Sequence, residues 1–318
     1  MFLRFSDVFW ITPLLYRKEA YMEPSVFNKE CWSFVRSDGS LKEENNNQKD
    51  KRFYHLFGPI LVNALIFDIL AAWIKTFTWD DLIEIQNGKY IMYQTFCFAC
   101  VISLTSVLNM MGKVMQLSHC LLLDKGYYSS ADWRNAMDYP LLSTSLEDVW
   151  SHRWHRTMRP AWVASAYKPV YFVVRKYNTN PKDRRLAVGL ASLAVFMASG
   201  LTHEYSVLCN IGWHAYKKYF MGQQMVFFGI HGIFVVLEKT LFFVLKPLLP
   251  ISFTTSRLFQ LMRRLYVIGL FTLTFPLFIN AYAHWGFHHL SALTPVESAT
   301  RQFLLSKSFL RQISGSAL

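Results

Sequence analysis

Charge is what this sequence has least of. Of its 318 residues only 17% are charged, against 53% hydrophobic and 17% aromatic. Soluble domains carry about 25% charged residues, so this balance points away from a soluble globular chain and towards a membrane protein. Acids are scarcer than bases, giving a net charge of +12. In a membrane protein such an excess reflects basic cytosolic loops rather than a nucleic-acid surface, so no nucleic-acid partner is expected. The five cysteines, Cys31, Cys97, Cys100, Cys120 and Cys209, have no paired spacing. Cys97-x-x-Cys100 has the form of a redox motif but sits inside an uncharged run, where two apolar fillers are the plainer reading. A cleaved secretory leader is not expected: no charged start, long apolar centre and small-residue cleavage site occur in order. Nor is there an internal repeat or a second, soluble domain.

Long apolar runs fill the space left by charge. Five read as membrane spans: Phe57 to Trp73, interrupted only by Asp68; Tyr90 to Met111; Leu186 to about Ser206; roughly Met221 to Val244, with the Glu238-Lys239 pair; and Leu265 to Ala283, with Pro276 inside it. The expected fold is therefore an all-α, polytopic helical bundle of five to six spans with added interfacial or re-entrant helices. Trp162 to Val174 is one such helix. Residues 1–34 form no span, and Ser37 to Arg52 reads as a solvated loop. Three regions follow: 1–56 as an N-terminal region, 57–290 as one membrane domain and 291–318 as a tail. Twelve Lys and Arg fall in 112–185 and one, Lys89, in 76–90. The positive-inside rule then places 112–185 in the cytosol and 76–90 in the lumen.

Two stretches carry chemistry. In Thr144 to Pro160, TSLEDVWSHRWHRTMRP, both Thr144–Glu147 and Ser145–Asp148 have capping-box spacing. A regular helix from there would gather Trp150, Trp154 and Met158 on one apolar stripe, and His152, Arg156 and Arg159 on a basic face. Such a helix suits a membrane–water interface, with His155 between its faces. The second stretch is Ser199 to Tyr205, SGLTHEY, where His203 and Glu204 interrupt an apolar run. Ionisable groups inside a span are costly and default to a functional reading, although a lone His on an apolar face is as readily a hydrogen-bonded core residue.

Together these stretches resemble the wax synthase-like branch of the membrane-bound O-acyltransferase family. The branch carries a pattern close to S-L-x-D-F-W-x-R-R-W-H, and this chain reads Ser145-Leu-Glu-Asp148-Val-Trp150-Ser-His-Arg153-Trp154-His155. Val149 and His152 depart from the usual Phe and Arg. The second mark is Ser199-Gly-Leu-Thr-His203-Glu204, and Asp132-Trp133 and Pro140-Leu141-Leu142 also sit where the family places similar residues. The resemblance implies an acyl-CoA-dependent O-acyltransferase. It would move an acyl, possibly acetyl, group to a hydroxyl of a lipophilic acceptor such as a terpenoid, sterol or long-chain alcohol. Family roles carried over make His203 the catalytic base and His155 the residue that positions the thioester or stabilises developing charge. Glu204, Trp150, Arg153, Trp154 and Asp148 then support the site or bind substrate, with Arg153 a candidate for a phosphate of coenzyme A. No bound cofactor and no metal are implied. Acyl-CoA is the co-substrate, membrane lipids are partners, and the endoplasmic reticulum is the expected location.

Two rival readings stay open. One is an inactive relative that keeps the fold. The other is a di-iron membrane oxidase, suggested by His152-x-x-His155 and His284-x-x-x-His288-His289. Such enzymes need about eight ligands in three boxes, whereas the chain has ten His in all and several stand alone.

Overall fold

The computed structural model describes residues 51–128, 133, 135–155, 158–177, 184–248, 250–289, 293 and 295–317. The expectations for residues 1–50, Asp132 and Arg156 lie outside the described residues. Apart from a two-residue ladder, Lys51–Arg52 (β1) antiparallel to Tyr127–Tyr128 (β2), the described chain is helical. The helices are Phe57–Ile74 (α1), Trp79–Gly88 (α2), Tyr90–Leu122 (α3), Leu146–Asp148 (α4), Arg159–Tyr177 (α5), Arg184–Ala215 (α6), Gln223–Leu245 (α7), Ile251–Thr254 (α8), Arg257–Trp285 (α9), Val296–Ser306 (α10) and Ser308–Gln312 (α11). Among the described residues five helical stretches are long and apolar enough to cross a membrane: 53–74, 90–122, 184–220, 223–245 and 257–285. They coincide with the five runs read from sequence, and the protein is an all-α polytopic membrane protein.

The chain divides into two compact units, one formed by 138–277 and the other by 51–137 with 278–317. The second unit is built on α1 and α3. Asp68, fully buried on α1, accepts the Leu293 N–H at 2.9 Å, which accounts for a carboxylate inside an apolar run. Tyr93 Oη donates to Asn280 Oδ1 at 2.6 Å, and Asn280 donates to Gln86 Oε1 at 3.1 Å. Residues beyond 291, read from sequence as a tail, turn back onto this unit. Lys75 and Glu297 form an ion pair at 2.7 Å, and the Gly315 N–H meets Thr76 Oγ1 at 2.9 Å. A Cβ on Gly315 would lie 2.2 Å from the Thr76 carbonyl oxygen, so only glycine fits there.

The first unit is organised by the antiparallel pair α6 and α7. Without a hydrophobic drive between helices in lipid, close approach of backbones at small residues supplies the packing. Gly232 of α7 lies directly against the Phe196 side chain, where an added Cβ would stand 2.9 Å from its Cβ and Cγ. Gly200 of α6 lies against Met225, whose Cα would be 3.2 Å from an added Cβ. Between the helices, Gly212 (φ +76°) ends the regular part of α6, and Gly222 (φ +84°) makes the turn into α7. Positive φ costs glycine little and other residues more.

Candidate active site

The first of the two motif stretches begins as its sequence indicates. Ser145 caps α4, its hydroxyl accepting the Asp148 N–H at 2.9 Å. Glu238 of α7 accepts the Leu146 N–H at 2.8 Å, and Lys239 pairs with Glu147 at 2.8 Å. The two charges inside the fourth run thus anchor the start of this segment instead of pairing with each other.

The regular helix expected through Pro160 does not form. After Asp148 the chain widens into a π turn, Val149–Arg153, closed by the Trp154 N–H on the Val149 carbonyl at 2.7 Å. Trp154 is extended and His155 takes a left-handed φ of +40°, so the helix stops at Arg153. Tertiary bonds explain the stop. The Asp138 N–H takes the Arg153 carbonyl at 2.9 Å, while the Arg153 guanidinium clasps Asp148 Oδ2 at 2.7 Å and the Asp138 carbonyl at 3.0 Å. Helix resumes at Arg159, with Pro160 in the first turn, where a missing N–H costs nothing. The Trp150–Trp154–Met158 stripe and the His152–Arg156–Arg159 face therefore belong to no single helix. Trp154 is buried rather than interfacial. The helix expected over Trp162 to Val174 is present within α5.

The break aims side chains into a cavity of about 590 Å³ enclosed by α4 and its π turn, α5, α6 and α7. Trp150, Trp154, His155, His203 and Phe228 line it, with Ser192, Val195, Phe196 and Ser199 of α6. Glu147, Lys239, His152 and Arg159 add polar side chains to its lining. The volume falls within the range of small-molecule sites, about 300–1,000 Å³.

Both predicted catalytic histidines reach this cavity. His203 comes from regular α6, its ring stacked on Phe228 at 4.9 Å and 14°. His155 comes from the broken segment, edge-on to Trp154 at 5.7 Å. The two imidazoles line the same cavity. Burial lowers the His155 pKa, so that ring is neutral near pH 7. A neutral imidazole can accept a proton at one nitrogen and donate one from the other.

The other predicted site residues fall elsewhere. Glu204, 5% exposed, accepts the backbone N–H groups of Gln224 and Met225 at 2.9 and 3.1 Å. A carboxylate there satisfies orphan donors and complements the dipole at the start of α7. Asp148 and Arg153 hold each other and do not line the cavity. Trp150 does line it, and its indole N–H donates to His231 Nδ1 at 3.3 Å. His231 stood in the sequence only as one isolated His in an apolar run, the same signal that marks His203. Of the histidine-box candidates, His284 packs on Trp79 and His288 bonds the Phe77 carbonyl, both within the second unit. Among the described residues no three His, Cys, Asp or Glu side chains group as a metal would need.

Membrane-spanning helices around a cavity with two inward-facing imidazoles define an integral membrane protein with a buried polar site. Residues 133–230, which hold that site, match the model of the membrane bound O-acyl transferase family. Over that segment the chain is similar to this family. It is similar to two Arabidopsis thaliana proteins. One is named probable long-chain-alcohol O-fatty-acyltransferase 7, at 28% identity over 116 residues, 35% of this chain and 32% of that protein. The other is named probable long-chain-alcohol O-fatty-acyltransferase 9, at 24% identity over 213 residues, 65% of this chain and 57% of that protein. The matches thus span about a third and just over half of those relatives' lengths.

Proposed function

We propose that the cavity is the acyl-transfer site of a membrane O-acyltransferase, which moves a fatty acyl group from acyl-CoA to the hydroxyl of a long-chain alcohol. The observation that carries this reading is the pair of imidazoles facing one largely apolar cavity. The names of the similar Arabidopsis proteins support the alcohol as acceptor.

In this mechanism His203 takes the proton of the acceptor hydroxyl as its oxygen attacks the thioester carbonyl carbon. His155 donates a hydrogen bond to the oxygen that gains charge. The C–S bond then breaks, and the departing thiolate of coenzyme A receives the proton that His203 holds, leaving both imidazoles neutral. An imidazole base and a placed donor meet the two chemical needs of the step. Walls of Trp, Phe and Val keep water from competing for the thioester. Arg159, which lines the cavity, and Lys239, which also pairs with Glu147, are the cations we propose for the phosphates of the donor, in place of Arg153, which is held by Asp148. The basic 112–185 segment would face the cytosol, where acyl-CoA is found, and the endoplasmic reticulum is the proposed membrane.

The test is release of coenzyme A by membranes holding the protein, supplied with fatty acyl-CoA and a panel of alcohols, with ester product identified by mass. Alcohol-dependent release is the expected result. Release that is independent of alcohol, or absent with every donor, overturns the reading.

A further inference from the structure

We propose that Trp150 is the wall that limits how long an acyl chain the cavity accepts, and that His231 and Thr274 lock it in place. The inference rests on the acyl-transfer reading above. Trp150 lines the cavity, while its N–H donates to His231, which does not line it. Behind the indole lie Phe271, stacked at 5.9 Å and 28°, and Phe227, at 6.2 Å, neither of which reaches the cavity. Removing the indole would therefore lengthen the cavity into an aromatic pocket rather than open it to lipid.

The lock has a fixed direction. The Thr274 hydroxyl gives its proton to the Leu270 carbonyl at 2.8 Å, so its oxygen accepts from His231 Nε2 at 2.9 Å. With that nitrogen protonated, Nδ1 of the neutral ring has a lone pair for the Trp150 N–H. His231 is fully buried, so turning the indole away would strand its Nδ1 without a donor. Three elements, the π turn, α7 and α9, thus converge on one side chain. A held wall discriminates sharply: one methylene too many against a closed apolar surface is worth about 10- to 200-fold in specificity. We assign the wall to the donor chain because Trp150 lies on the same short segment as His155, the thioester-positioning residue.

The experiment compares wild type, Trp150→Phe and His231→Phe at matched protein amounts. A series of acyl-CoA lengths is run with one alcohol, then a series of alcohols with one acyl-CoA. Trp150→Phe should move the preferred acyl length upward by at least about two carbons. His231→Phe keeps ring volume but removes the acceptor for the indole. It should leave the optimum in place while cutting discrimination against the next longer donor about tenfold. Thr274→Val should act like His231→Phe, so the outcome does not depend on Trp150→Phe folding. Unchanged acyl-length profiles with only lower kcat would overturn the proposal. A shift confined to the alcohol series would overturn the assignment to the donor chain. A wild type inactive with every donor would instead sink the acyl-transfer reading, and the wall with it.

Discussion

The two stretches that bring histidines to the cavity do so in opposite ways. In Ser199 to Tyr205 the backbone is an ordinary α-helix, and periodicity alone sets the roles. Gly200, His203 and Glu204 lie at i, i+3 and i+4, one face. On that face Gly200 lets α7 come close, Glu204 caps the start of α7, and His203 enters the cavity beside Phe228 of α7. In Ser145 to Met158 the roles depend on leaving the helix. His155 reaches the cavity because the π turn ends at Arg153 and the next residues turn at positive φ. The contrast teaches that one imidazole is placed by local geometry and the other by tertiary bonds, so the two should respond differently to perturbation.

The most severe test of that contrast is His203→Ala. Nothing else in the helix changes, so protein should accumulate normally while acyl transfer falls about 10²- to 10⁴-fold. Coenzyme A release at matched protein level measures it, and activity within about threefold of wild type breaks the assignment.

His155→Ala should cost somewhat less, about 10²-fold, and lower kcat more than it raises KM for the donor, as a transition-state interaction does. His155→Asn should be milder for two separable reasons: its amide can still donate, and Asn tolerates the left-handed backbone that this position adopts. If Ala and Asn lose protein level and neither changes turnover per molecule, His155 serves only the fold.

Glu204→Ala should act on stability instead of chemistry. It strips a buried carboxylate from two backbone N–H groups, a loss of about 1.5–3 kcal/mol for bonds to a charged group. Thermal unfolding in detergent should shift downward while turnover per folded molecule stays within about threefold. A large fall in turnover at unchanged stability would return Glu204 to the catalytic group.

The smallest effect belongs to Arg153→Lys. A lysine can keep a charge beside Asp148 but cannot also hold the Asp138 carbonyl as the planar guanidinium does. Because the pair is about a quarter exposed, the loss should be only about 0.5–1 kcal/mol. The KM for acyl-CoA should not move; a clear rise would show that Arg153 reaches the donor after all.

Much of this was legible before any packing was known. The five spans follow from hydropathy, since a membrane admits only chain segments that satisfy their own backbone bonds. The Ser145 cap follows from spacing, and His203 follows from the cost of an ionisable group in an apolar run. The interfacial reading of Trp154 failed because it assumed that helical periodicity continues through Pro160. No local propensity marks the stop at Arg153; it is imposed by the Asp148 clasp five residues back and by Asp138, fifteen residues back and adjacent in space. His231 gave the same sequence signal as His203, yet the two face different surroundings. One lines the cavity, and the other is locked between Trp150 and Thr274.

By itself, then, the sequence determined which segments are apolar enough to enter the membrane and where the α4 helix starts, while its resemblance to a family pattern singled out His155 and His203. The first two properties are local, set by side-chain polarity and spacing along a few turns. Only the tertiary structure decided that Glu204 and Arg153 bond backbone groups and Asp148 bonds Arg153 rather than face the cavity, and that the cavity is walled by Trp150 with His231 behind it. Which partner a polar group finds depends on what the fold brings within about 3 Å of it, and in these cases those partners lie on other elements.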